Sequence, residues 1–133
     1  MPGTFSIHPE STSAGDDQVC VLHIAGHIDE AATTEFEDVF TGVMAGGCRH
    51  FVLDLAQADS ITSAGLRLLL KLHRAALNAG GRIRIAAPRR RIREQIDGVF
   101  FSRLMEVYGT VDEAVGSVAG GQADGDRGEL LQS

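Results

Sequence analysis

The chain has no apolar run approaching the about 20 residues that cross a bilayer, which excludes a helical membrane anchor within it. Met1 to Glu10 lacks both the basic start and the apolar core of a secretory signal, so the expected location is the cytoplasm. Cysteine is scarce. Cys20 and Cys48 form no CxxC or Cys/His ligand cluster, and Cys20 lies in an apolar run, so both read as reduced and structural. Of His23, His27, His50 and His73 only the first two are even four apart, in a strand end rather than a helix, so metal-ligand spacing is missing and no metal or other cofactor is expected. GxSxG, Walker A and dinucleotide fingerprints are all missing, and the Gly-Gly pairs end helices rather than cradle phosphates. Intrinsic catalysis has no motif to carry it. Positive charge is also in deficit: the formal net charge of −6 disfavours nonspecific binding to nucleic acid or anionic membrane and points to a protein partner.

What is present is an ordinary globular balance, 44% apolar and 23% charged over 133 residues, enough for one domain with its own core. Thr4 to His8 reads as a short strand and Ser11 to Asp17 as a polar turn around Gly15, together a hairpin. Val19 to Ile28 is β-branched and aliphatic, with Gly26 marking a bulge or a close backbone approach. Asp29 then caps a helix in which Ala32, Phe36, Val39, Phe40 and Val43 recur at helical spacing before Gly46-Gly47. His50 to Leu55 is nearly continuous in apolar residues, as befits a central strand covered on both faces. Ala56 to Thr62 reads as a polar loop, and Ser63 opens a long helix through Leu69, Leu70, Leu72, Ala76 and Leu77. Arg82 to Ala87 alternates as a strand, Pro88 starts a helix to about Gly98, and Leu104 to Tyr108 is a last short strand. Thr110 caps a closing helix through Val118, and the Gly-rich remainder, 119–133, is expected to be disordered. Strands alternating with helices over short connections give an α/β class with a mixed sheet.

Three stretches carry a family likeness: AGHID at Ala25 to Asp29, the strand-to-helix run from Val52 to Ile85, and the segment from Pro88 to Val115. Together they resemble STAS domains, in particular bacterial anti-sigma factor antagonists. The family pattern at the start of the long helix is aspartate, serine, a small residue, glycine and leucine, and it stands here as Thr62-Ser63-Ala64-Gly65-Leu66. The resemblance implies a STAS-like mixed sheet of about four or five strands packed against about four helices over residues 1–118. It also implies a phosphorylation-switched module that binds an anti-sigma factor with serine kinase activity and is restored by a phosphatase, releasing a sigma factor. Ser63 takes the acceptor role, because Ala64 has no hydroxyl, with Thr62 a minor alternative in the family's usual aspartate position. The same resemblance leaves homodimerisation open, and it allows a non-phosphorylated adaptor subunit of a transport or signalling complex as the second reading.

A helix-start serine read on its own is an N-cap, contributing about 0.5–2 kcal/mol by accepting a backbone N–H. A phosphate there adds a charge of about −1.5 to −2 at a helix end that favours anions, so the domain tolerates it while an acidic or dry interface is repelled. Asp29, Thr62, Ser63, Ala64, Gly65, Leu66 and Arg67 form the expected partner-binding surface, with Gly65 offering a partner close approach, Leu66 equally readable as core, and Asp29 doubling as a cap. Asp54 is expected to order the Ser63 loop through backbone hydrogen bonds. Arg89, Arg90, Arg91 and Arg93 form a basic cluster whose bland reading is a solvated face and whose functional one is docking of protein or an anion; no DNA- or RNA-binding signature accompanies it.

Overall fold

The computed structural model describes residues 4–98 and 105–125. Strand β1 (Ser6–Ala14) and β2 (Asp17–Ile28) pair antiparallel through a two-residue turn, Gly15-Asp16, with Gly15 at φ +62°. β1 therefore runs on through the polar stretch expected as a turn. Its exposed residues line a solvent-facing edge strand, where hydrophobic alternation has no reason to appear. After a 3-10 turn at Glu30–Ala32 come α1 (Thr33–Ala45), β3 (His50–Ile61), α2 (Ser63–Asn78), β4 (Arg82–Ala86), α3 (Arg90–Gly98), β5 (Glu106–Tyr108) and α4 (Val111–Gly125). Leu104, the expected start of the last strand, lies outside the described residues, as do 126–133 of the expected tail. The closing helix runs past Val118 to Gly125, further than its Gly-rich sequence suggests.

The five strands stand in chain order, β1 to β5, with every pair after the first parallel. Parallel crossovers are right-handed, and strands added always on the same side put every crossover helix on one face. That is where α1, α2 and α3 pack, around Phe36, Phe40, Phe51, Leu53, Leu55, Leu69, Ile83, Ile92 and Ile96. Phe40 lies on Phe51 with ring centroids 4.4 Å apart. Burying one such side chain stabilises the fold by about 1.5–3 kcal/mol. Of the residues expected inward on α2, Leu77 is 45% exposed, while Leu68 and His73 are buried instead.

Among the described residues the opposite face carries only α4, packed on Val19, Val21, Val52 and Ala86 through Ala114 and Val118. Thr110 caps α4 as expected, accepting from the Glu113 N–H at 3.1 Å. This cover buries a charged residue. Arg84 faces away from the main core yet is buried, its Nε 3.5 Å from Glu106 Oε1.

β3 is the central strand, and it extends six residues beyond Leu55, through the segment expected as a loop, to Ile61. Its pairing with β2 shifts register between His23 and Ala25 and again between Gly26 and His27. Each shift breaks the two-residue period that identifies a strand. Gly26 serves both roles expected of it: φ is +89°, and a Cβ there would overlap the Thr4 carbonyl.

Candidate partner-binding site

β2 and β3 end side by side, Ile28 opposite Ile61, so the residues that follow each strand, Asp29 and Thr62, emerge at one edge of the sheet. The Thr62 N–H donates to the Ile28 carbonyl at 3.0 Å, which carries the pairing one residue past the strands. Thr62 is extended, with φ −94° and ψ 175°, and its Oγ1 accepts the Gly65 N–H at 3.3 Å while lying 3.4 Å from the Ile28 carbonyl. Thr62 is therefore the N-cap of α2, and the expectation of a capping Ser63 is corrected by one position. The cap has to be the last non-helical residue, and the strand pairing of Thr62 places it there. Ser63 is the first helical residue and exposed, and its hydroxyl has no hydrogen-bond partner among the described residues.

Of the other residues expected at this edge, Asp29 accepts the Ala32 N–H at 3.1 Å as a cap and is half-buried, Ala64 is half-buried, and Arg67 is exposed. Leu66 packs partly against the core. Gly65 is buried: a Cβ on it would stand 2.6 Å from the Ile28 carbonyl oxygen and 2.7 Å from Ile61 Cγ1. The close approach that Gly65 allows is thus to its own strands, which corrects its assignment as docking surface.

Asp54 makes a backbone hydrogen bond to the first residue of the stretch expected as the Ser63 loop, at the end away from Ser63 itself. A strand rises about 3.3 Å per residue, which leaves Asp54 roughly 20 Å away. It sits at the first register shift, where Oδ1 accepts the Ala56 N–H at 3.1 Å and Oδ2 meets His23 Nδ1 at 2.7 Å. The donors that do hold the far end of β3 come from α3 and the residue before it. Gln95 Nε2 donates to the Ile61 carbonyl at 2.8 Å, and Arg89 donates to the Ala56 carbonyl at 3.0 Å and to Asp59 Oδ1 at 2.7 Å. His27 Nδ1 lies 2.6 Å from Ser60 Oγ on the same stretch. Sequence reading missed Gln95, although a glutamine beside Ile92 and Ile96 on one helix face is the signal of a polar group turned inward. Arg90 and Arg93 pair along their own helix with Glu94 and Asp97, both at 3.3 Å, so that with the Arg89–Asp59 pair three of the four arginines are neutralised within the protein.

Both cysteines are buried; the Cys48 thiol donates to the His50 carbonyl at 3.3 Å. Burial, reinforced by the neighbouring Cys48, pushes the Cys20 thiol up to about 12, so it stays a thiol at neutral pH. Among the described residues no three His, Cys, Asp or Glu side chains gather as a metal site, and no helix is long and apolar enough to cross a membrane.

The sequence model of the STAS domain matches residues 11–114. No curated protein matches the chain. Among solved structures, it is similar to an anti-sigma factor antagonist from Mycobacterium paratuberculosis, at 22% identity and a TM-score of 0.78, covering 90% of this chain and 97% of that one. It is similar also to SpoIIAA of Bacillus, an anti-sigma factor antagonist, in its unphosphorylated form: 20% identity, TM-score 0.71, 86% of this chain and 97% of that one. A third likeness is to the murine anion transporter Slc26a9, at 15% identity and a TM-score of 0.64, where 84% of this chain covers 22% of the transporter. At these identities the likeness is one of fold.

Proposed function

Since the chain belongs to the STAS domain family, we propose that it is an anti-sigma factor antagonist, a cytoplasmic regulatory module that catalyses no reaction and is switched by phosphorylation of Ser63. The observation that carries this reading is the division of labour between adjacent residues. Thr62 caps α2, which leaves the exposed Ser63 hydroxyl without a structural duty. Ser63 sits in the first helical turn, whose N–H groups lack intrahelical acceptors and whose dipole favours an anion, so a phosphate there is tolerated by the fold. Its charge of about −1.5 to −2 is felt by whatever protein covers Ser63, Thr62 and Arg67. In this reading the partner is an anti-sigma factor with serine kinase activity, which binds the unphosphorylated protein and lets a sigma factor go, and a phosphatase resets the cycle. SpoIIAA, which shares the fold, exists in a phosphorylated form as well as the unphosphorylated one.

The likeness to a transporter's domain supports the second reading, a STAS adaptor without phosphorylation. That reading, in which Ser63 is only a cap, loses its account of this residue. The test is phosphorylation by an anti-sigma kinase followed by calorimetric titration of the two forms. Labelling should vanish in Ser63→Ala, and the phosphorylated form should bind at least about tenfold more weakly with little change in melting temperature. Label retained in Ser63→Ala, label on Thr62, or equal affinities would each sink the proposal.

A further inference from the structure

Three adjacent strands each bring one ionisable side chain to the open part of the sheet face beside α4. His23 of β2 stands directly opposite Asp54 of β3, and on β1 Glu10 lies two residues along from His8, the register partner of His23. His23 Nδ1 is 2.7 Å from Asp54 Oδ2, and His23 Nε2 is 2.7 Å from Glu10 Oε1. A carboxylate only accepts, and a neutral imidazole has one donor and one acceptor. Two carboxylates at hydrogen-bond distance from both ring nitrogens therefore call for an imidazolium. Loss of its proton must turn one N···O contact into two facing lone pairs.

Burial decides which contact gives way. The Asp54 side chain is 17% exposed and also holds the Ala56 N–H, whereas the Glu10 side chain is 66% exposed and can turn to water. The remaining N–H belongs on Nδ1, against the carboxylate with the less access to water. The other groups facing the cluster are His8 across on β1, His27 further along β2 and held by Ser60, and Asp112 of α4, which lines a groove of about 410 Å³ together with Glu10. β4 presents only Ala86 opposite Asp54.

We propose that His23 is a proton-operated latch on the β1 edge strand: as an imidazolium it bridges Glu10 and Asp54, and on losing the Nε2 proton to solvent it keeps Asp54 and releases Glu10. The latch is independent of the Ser63 reading. Burial alone lowers the proton affinity of this imidazole, but the hydrogen bonds and charges of Glu10 and Asp54 outweigh it and raise the net value. The experiment is an NMR titration of the imidazole nitrogens with β1 amide exchange measured across the same pH range and corrected for intrinsic rates. His23 should titrate above its ordinary value of about 6.5, leaving the Nδ1–H tautomer on the alkaline side. β1 protection should fall about two- to five-fold through that midpoint, the weight of an exposed ion pair. Glu10→Gln should lower the midpoint and remove the pH dependence of β1 protection, and Asp54→Asn should lower the midpoint too. A wild-type midpoint at or below the ordinary value, an Nε2–H tautomer above it, or β1 protection indifferent to pH would overturn the proposal.

Discussion

Gln95 of α3 donates to the carbonyl of Ile61, the last residue of β3, at 2.8 Å. β4 pairs with β3 only as far as Asp54, so among the described residues the far end of β3 has no strand on that side, and a side chain supplies the bond to Ile61. Gln95→Ala leaves a buried carbonyl unpaired and should cost about 1–3 kcal/mol by chemical denaturation. It should also speed amide exchange at Thr62 to Gly65. A variant as stable as wild type would mean that the bond carries no weight at this edge.

The cap and the exposed serine can be told apart by stability. Thr62→Ala should destabilise the protein by about 0.5–2 kcal/mol, and Thr62→Ser should recover most of it. Ser63→Ala should stay within about 0.5 kcal/mol of wild type. Denaturant midpoints of the three variants measure this directly. The reverse order would make Ser63 the cap.

Gly65 separates packing from docking. Gly65→Ala puts a Cβ 2.6 Å from the Ile28 carbonyl oxygen, against backbone that does not yield easily. An overpacking loss of about 1–3 kcal/mol should appear as a lowered melting temperature before any partner is added. A variant with an unchanged melting temperature and weakened partner binding would restore Gly65 to the docking surface.

Two histidines should give stability opposite slopes with pH. Burial above all, then Arg84, holds the His50 proton affinity low, with Asp17 opposing and Arg82 adding to the effect. Its contribution is present above the ordinary histidine value and is lost as pH falls through the lower folded value. His23, raised by Glu10 and Asp54, contributes fully below the ordinary value and loses its share as pH rises through the higher folded one. Together they should place a maximum near pH 6.5, about the ordinary histidine value. Denaturant midpoints across pH 5–8 should show His50→Gln flattening the acid limb and Glu10→Gln the alkaline one. Limbs unchanged by these substitutions would assign the slopes to other groups.

Much of this architecture was legible in periodicity. The apolar run from His50 to Leu55 marked a central strand, and Phe36 and Phe40 marked the inward face of α1. What escaped was the continuation of β3, because two register shifts break the alternation between Leu55, Ala58 and Ile61, all buried, and leave polar residues where a regular strand would have apolar ones. The cap of α2 was located to within one residue. A threonine and a serine side by side are equally good caps, and only the Thr62–Ile28 pairing decides between them. The His23 cluster was invisible for a different reason: its partners sit on the strands to either side, and neither local spacing nor hydropathy reports a contact made across a sheet.

Because the sheet keeps chain order from β1 to β5, no strand has to be threaded between two that already pair. A chain leaving the ribosome N-terminus first can close the β1–β2 hairpin and then extend a single growing edge, each new strand finding its neighbour already in place. Synthesis and assembly run in the same direction, and until β5 arrives the growing edge is the part of the sheet that a chaperone would have to shield.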